Sequence, residues 1–535
     1  MERKFFTYTL LLAGLFAVCG VNGVSEVSAQ PKTAARPRLI VQLVVGSMRA
    51  EDIDRYMDRF GEGGIRRLVD GGARYTDCRY DCQQTTTPVS LATLTTGALP
   101  STHGIIGTRW MDYTANRPVA LLGADETQPS PEHLIAPTFG ETLLQQAAGS
   151  QTVTIAAEPT SAVVMNGRGG VAYWLDEAGD WASSTAYVEA LPEWVERSNR
   201  EHYNRSYVET EWRSMLGSDQ YHNTRHWDIA FAGKSRRSKE EQSPNRLKLT
   251  GDRERLLYTP TGNTALLGFA KQAIAQYRLG TDATPDLLNI CLDPSRCIAE
   301  AYGPESVEVE DMYCRLDRDL EDFLTFLFAQ VKNGEVLVIL TSDHGTSPSC
   351  DYGPRPADRF NNRQFAVIVN GFLNVRYGTG DWVLACEDKH LWLNHNLIYE
   401  RGLDLSEVQN EVAIFAMQFS GVSHALTSTA MRTSYFGSGY ARKMQNGFYP
   451  RRSGDVVLNL VPGCIEERDR CVSSSGSLYG YDTQVPLILY GTGIGAQRIG
   501  RPVEMTAVAP TLSRLIGITE PAASEGEILH EIVDL

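Results

Sequence analysis

Val336-Leu-Val-Ile-Leu-Thr-Ser-Asp-His-Gly345 is the stretch from which the rest of the chain is read. Its first five residues are apolar and rich in β-branching, the signature of a strand covered on both faces. The run stops at Asp343-His344, an acid beside an imidazole where a buried parallel strand would emerge. A hard carboxylate next to a borderline imidazole suits a divalent, zinc-like cation. Similar apolar runs recur at Leu39–Gly46, Thr152–Ala157, Asp286–Leu292, Asp455–Leu460 and Val485–Tyr490. Helical periodicity falls between some of them, at Ile53–Leu68 (interrupted by Gly61-Glu-Gly-Gly64), Pro88–Leu94, Ala265–Ala275, Val309–Val331 and Leu405–Phe419. Strands alternating with helices predict a doubly wound α/β sheet, mixed or parallel, flanked by helices. Two long stretches, about 109–285 and about 355–445, break the alternation and read as inserted accessory regions of one domain spanning 36–535. No internal repeat or low-complexity tract is visible.

Bulk properties narrow the function classes. The chain has 535 residues, 42% hydrophobic and 21% charged, which is ordinary for a globular protein with a sizeable core. A net charge of −15 without long basic runs argues against nucleic acid or an anionic membrane surface as partner. The basic segment Lys234–Lys239 runs at once into Glu240-Glu241 and reads as a solvated loop. At the N-terminus, Arg3 and Lys4 precede the apolar run Leu10–Val18, and Val27-Ser28-Ala29 supplies small residues before a cut. Residues 1–29 therefore read as a signal peptide and the protein as exported and periplasmic. Lipid anchoring at Cys19 is disfavoured by the bulk of Val18, and no later stretch is long enough to span a bilayer. Nine further cysteines in an oxidising compartment predict disulfides, with Cys464–Cys471 and then Cys78–Cys82 as the best short-loop pairs.

Met48-Arg49, Gly61-Glu-Gly-Gly64, Thr85-Thr-Thr87, Thr96-Gly-Ala-Leu-Pro-Ser-Thr-His-Gly104 and Ala172-Tyr-Trp-Leu-Asp176 together resemble an alkaline phosphatase-like family. So do Gly303-Pro-Glu-Ser-Val-Glu-Val-Glu-Asp311, Thr341-Ser-Asp-His-Gly345, Arg452-Ser-Gly-Asp455 and Tyr481-Asp-Thr-Gln-Val-Pro486. The resemblance is to the periplasmic, calcium-independent phosphate monoesterases of Bacteroidota, within the type I phosphodiesterase/nucleotide pyrophosphatase-like group. It implies an alkaline phosphatase fold and a two-zinc mechanism in which a threonine attacks phosphorus, with a lysine and an arginine gripping the other phosphate oxygens.

Carried over residue by residue, that mechanism keeps few of its parts. Thr87 stands where the resemblance places the nucleophile, and Asp343 and His344 stand as ligands of one metal. The aspartate expected at the end of the first strand is Gly46. The Asp-x-x-x-His pair expected before Gly303-Pro304 reads Arg296 and Glu300, and the remaining histidine is Ser475. The expected Lys-x-Arg falls at Glu158 and Thr160, and the asparagine after Gly107 is Thr108. A guanidinium where a dication belongs repels the metal. The expectation is that Arg296 acts instead as an internal counter-charge for Asp343 or Glu300.

Other candidates get plainer readings. His103 reads as a structural hydrogen-bonder, and His390 and His395 as packing or surface residues of the accessory region. His222 and His226 have i, i+4 spacing but no third ligand. Thr87 itself could serve as a helix-start residue before Pro88. The sequence thus points first to a pseudoenzyme with no cofactor, whose retained pocket or surface binds an unidentified protein or small anion; Arg296 and Arg109 are the candidate anion contacts. The alternative is a metal-dependent phosphate monoester or diester hydrolase with a Thr87 nucleophile and at most one zinc ion.

Overall fold

The computed structural model describes residues 36–208, 212–217, 219–224, 249–331, 335–350 and 359–533. The proposed signal segment with Cys19, as well as His226 and the Lys234–Lys239 loop, lies outside them. Val336–Thr341 is a strand with all six residues buried, as its composition requires. It lies parallel to Leu39–Val45, which in turn pairs in parallel with Asp286–Leu292. Thr152–Ala156 continues the parallel set, followed by Val171–Leu175. On the other side, Gln484–Gly491 runs antiparallel to Val336–Thr341 and to Ala73–Arg79. Ten strands make this sheet, which is parallel at its centre and carries antiparallel pairs toward both edges, Trp181–Ala182 running antiparallel to Val171–Leu175 at the far one. Helices cover both faces: one layer is built on the long Val307–Gln330 and on Thr261–Tyr277, the other on Thr87–Thr96 and Val508–Ile516. The chain therefore has the mixed α/β architecture expected from the alternation.

Several local differences have physical causes. The helical pattern over 53–68 splits into Ala50–Arg55 and Ile65–Gly71. Between them, Asp317 of the long helix accepts the backbone N–H groups of Gly61 and Ile65, each at 2.7 Å. A Cβ at Gly64 would lie 2.2 Å from the Asp317 carbonyl oxygen, so this turn needs glycine for close approach. The run near 455 is a strand, Val456–Leu460, but it joins a separate four-stranded antiparallel sheet with Val383–Glu387, His390–Leu393 and Val422–Thr427. Alternating burial cannot say which sheet a strand joins. The nine cysteines of the described residues form no disulfide, which corrects the disulfide expectation, Cys464–Cys471 and Cys78–Cys82 included. Seven of them are buried, packed as small apolar side chains. No described helix is long and apolar enough to cross a membrane.

Candidate functional site

Open α/β sheets present ligands at the carboxyl ends of their parallel strands, and four strand ends converge here. Leu39–Val45 ends at Gly46-Ser47, Val336–Thr341 at Asp343-His344, Thr152–Ala156 just before Glu158, and Asp286–Leu292 in the helix Asp293–Tyr302 that carries Arg296 and Glu300. Thr87 enters as the first residue of the wholly buried helix Thr87–Thr96, with Pro88 preorganising its first turn. The hydroxyls of Thr93, Thr95 and Thr96 donate to carbonyls four residues earlier, which satisfies those three donors inside a buried helix. These elements wall a cavity of about 420 Å³.

One wall joins the three residues singled out at sequence level. The Thr87 hydroxyl donates to Asp343 Oδ2 at 2.8 Å and lies 3.2 Å from His344 Nε2. Asp343 Oδ1 accepts the backbone N–H groups of Ser47 at 3.0 Å and His344 at 2.9 Å. His344 Nδ1 sits 2.6 Å from the Gly345 carbonyl, so that nitrogen carries the donated proton and Nε2 faces the cavity. Ser475 Oγ stands 3.3 Å from Nε2. Asp343 is thus held by neutral donors and an imidazole. Of the two carboxylates expected as partners of Arg296, Asp343 is not the one it meets.

Arg296 belongs to the opposite wall. Its guanidinium bonds Glu158 through Nη2 and Glu300 Oε2 through Nη1, the latter at 3.1 Å. Its side chain is only 14% exposed. Burial alone would lower its affinity for a proton, yet Glu158, then Cys297 and Glu300, outweigh that and hold it well above the usual arginine range. Beneath it, Asp293 accepts the N–H groups of Ala157 and Glu158 at 2.8 and 3.1 Å. Burial, aided by the Glu158 charge, pushes the Asp293 carboxyl up to about 6. Gly46 touches this wall directly. A Cβ there would fall 2.7 Å from Arg296 Cβ and 3.0 Å from its backbone nitrogen.

Thr108, Glu158 and Thr160 also line the cavity, as do Arg296, Glu300, His344, Thr87 and Ser475. Arg109, proposed as an anion contact, is not among the lining residues; it is about half exposed and 3.8 Å from Glu126. The remaining wall went unread in the sequence. Asp388 and Lys389 have φ of 47° and 65° and form the two-residue turn between Val383–Glu387 and His390–Leu393, the backbone pattern of a type I′ hairpin. The turn brings Asp388 to Arg468 at 2.9 Å and buries Lys389 against Glu466 at 2.7 Å. Burial would raise the Glu466 carboxyl, but Lys389 and Arg468 overcome it and hold it down to about 2. Glu387 and Glu467 add two more carboxylates to the lining. A two-residue link between alternating apolar segments, Glu387-Asp-Lys-His390, was the available signal for this hairpin; nothing local announced where it would point.

The other histidines are structural. His103 lies 3.1 Å from the Thr93 hydroxyl and accepts the Ile105 N–H, and burial pushes it down to about 3. His390 accepts the Gly454 N–H, also pushed to about 3 by burial. His395 pairs with Asp455 at 2.8 Å and stacks on Tyr113. His222 sits 3.1 Å from Asp58 on the surface. Among the described residues, no three His, Cys, Asp or Glu side chains cluster as a metal-binding set.

Comparison with known proteins places this geometry. The model of the type I phosphodiesterase / nucleotide pyrophosphatase family matches residues 40–461. Alkaline phosphatase PafA of Elizabethkingia meningoseptica is 28% identical, over 98% of this chain and 98% of its own length. Alkaline phosphatase PhoV of Synechococcus elongatus is 27% identical, over 95% and 94%. The crystal structure of wild-type alkaline phosphatase PafA superposes with a TM-score of 0.84 at 26% identity, covering 93% of this chain and 99% of that one.

Proposed function

The chain belongs to the type I phosphodiesterase / nucleotide pyrophosphatase family, and from that premise we propose that it is a pseudoenzyme: an exported alkaline phosphatase fold without the two-zinc site, whose cavity serves ligand or partner binding. One observation carries the reading. Arg296 lies ion-paired between Glu158 and Glu300 in the wall of the cavity that Thr87 and His344 line. Two-metal phosphoryl transfer needs two clustered sets of anionic or imidazole donors, about three protein ligands per zinc. Here the carboxyl end of the first strand offers no donor at Gly46 and, with Arg296 Cβ 2.7 Å from where its Cβ would be, no space for one. A guanidinium fixed where a dication would sit repels it in a poorly screened pocket. The residues present do not fit a dinuclear zinc centre.

The electrostatics of the lining agree. Glu158, Glu300, Glu387, Asp388, Glu466 and Glu467 face Arg296 and Arg468, and both arginines are already held by carboxylates. A doubly charged phosphate ester would meet a surplus of like charge, which also weakens Arg296 as the contact of an anion sensor.

A second reading keeps a specific observation on its side. Thr87 Oγ1, Asp343 Oδ2 and His344 Nε2 still converge within 3.2 Å of one another, the donor types of one zinc ligand set. A hydrolase of phosphate mono- or diesters with a Thr87 nucleophile and a single metal would use that convergence. Elemental analysis combined with p-nitrophenyl phosphate turnover separates the two. The pseudoenzyme reading expects far less than one zinc per chain and background turnover that Thr87→Ala leaves unchanged. Stoichiometric zinc with Thr87-dependent turnover rejects it in favour of the hydrolase. Stabilisation by inorganic phosphate without turnover would mark an anion-binding member.

A further inference from the structure

We infer that Glu158, Arg296 and Glu300 are a protein-built substitute for a bound cation: an internal ion triad that holds together the strand ends around the cavity, with Gly46 as its required neighbour. The inference rests on the reading of this cavity as unsuited to two metals, and it adds what keeps the fold stable there. Each member comes from, or ties to, a different segment. Glu158 follows the Thr152–Ala156 strand, and its backbone N–H is held by Asp293. Arg296 and Glu300 sit one turn apart on Asp293–Tyr302. The Glu300 carbonyl accepts the N–H groups of Val472 at 2.8 Å and Ser473 at 3.2 Å, which anchors the loop leading to Ser475. A single guanidinium therefore ties the end of the Thr152–Ala156 strand to the Asp293–Tyr302 helix, and the Glu300 backbone adds the loop before Ser475, much as a metal ion joins segments through its ligands.

The triad is buried enough to matter. Surface ion pairs contribute little, but removing one partner of a buried pair leaves an uncompensated charge. Arg296, Glu300 and Glu158 side chains are 14%, 12% and 30% exposed, between the two regimes and nearer the second. The contact with Gly46 makes the arrangement exclusive. With Cβ at 46 and Cβ at 296 only 2.7 Å apart, the strand end and the helix are too close for side chains at both positions. The approach that seats Arg296 is the same approach that closes the room for a ligand at 46.

The test uses thermal unfolding of the full mature chain. Unsubstituted protein should melt at the same temperature, within about 1 °C, with chelator or with added zinc. Arg296→Met should lower the midpoint by roughly 3–5 °C, given the size of the chain, and Arg296→Lys by less than half of that. Adding Glu158→Gln and Glu300→Gln to Arg296→Met should recover most of the loss, because no carboxylate is then stranded. If Arg296→Met cannot be obtained folded, recovery of folded protein in the triple variant supports the triad, and failure to recover overturns it. An unchanged midpoint for Arg296→Met, or a chelator-induced drop in the unsubstituted protein, also overturns it. Phosphatase turnover with these stability effects intact would sink only the pseudoenzyme reading.

Discussion

The two facing walls of the cavity solve one problem in opposite ways. On the Thr87 wall, Asp343 is satisfied by two backbone N–H groups, a threonine hydroxyl and an adjacent imidazole. On the Arg296 wall, Glu158 and Glu300 are satisfied by a full opposite charge. The hairpin turn at Asp388-Lys389 repeats the second solution with Lys389–Glu466 and Arg468–Asp388. Buried carboxylates must be neutralised by hydrogen bonds or by cations. The first wall keeps the donor types of a metal site; the second is filled by cations the chain itself supplies.

The contrast breaks most visibly where a buried charge loses its mate. Lys389 and Glu466 have side chains only 4% and 2% exposed, so Lys389→Met should strand Glu466 and cost about 3–5 kcal/mol in urea unfolding. Arg468, 3.8 Å from Glu466, sets the low end of that range. A cost below about 1 kcal/mol would mean that the ion pairs of this wall are replaceable by solvent. Next in size is Gly46→Ala. An added methyl 2.7 Å from Arg296 Cβ has nowhere to go without moving the helix, and overpacking of this kind costs about 1–3 kcal/mol. A neutral or stabilising result would show that the strand end and helix are loosely seated.

Legibility in the sequence followed the range of the interactions. Asp286–Leu292 and Val336–Thr341 were readable residue for residue because short, largely apolar runs bounded by polar residues allow few alternatives. Asp343 and His344 were readable because the apolar run stops at Ser342 just before them, whereas Thr87 came from the family resemblance and its neighbours showed only a helix start before Pro88. The second partner of Arg296 was not readable. Glu300 follows from helical spacing, but Glu158 is 138 residues away, and the choice between it and Asp343 depends on how two strand ends splay. Lys389, Glu466 and Arg468 were missed for a related reason. Only the second sheet's docking brings them to the cavity, and docking is not encoded in any local period. The cysteines misled because an expected oxidising compartment and a short loop say nothing about whether two thiols meet.

The pH dependence sharpens the comparison from another side, because two histidines buried elsewhere in the fold titrate oppositely to a paired one. His103 and His390 are pushed from 6.5 down to about 3 by burial. Their depressed values mean that the unfolded chain takes up protons first. Their contribution is therefore complete above pH 6.5 and is lost as pH falls toward 3. At pH 5.5, one unit into that window, each should have given up about 1.4 kcal/mol. His103→Gln, which keeps a hydrogen-bonding side chain, should remove about one proton from the slope of unfolding free energy between pH 6.5 and 4. A slope identical to the parent's would show that His103 is protonated in the folded state, and that the Thr93 and Ile105 contacts are not those of a neutral ring.

The smallest effect concerns Thr87, and it bears on both readings of the cavity. Its hydroxyl donates to Asp343 and lies beside His344, but Asp343 keeps two backbone donors without it. Thr87→Val preserves the shape and β-branching at the helix start while removing only the hydroxyl, so it should cost about 1 kcal/mol, the net worth of one hydrogen bond. If the hydroxyl were a metal ligand or nucleophile, the same variant would cost little stability in chelator yet abolish turnover or zinc uptake. Measuring unfolding with and without chelator, beside turnover, therefore tells a structural threonine from a chemical one. A loss of about 1 kcal/mol that is the same in both buffers, with background turnover unmoved, places Thr87 with the hydrogen-bonded wall rather than with a working site.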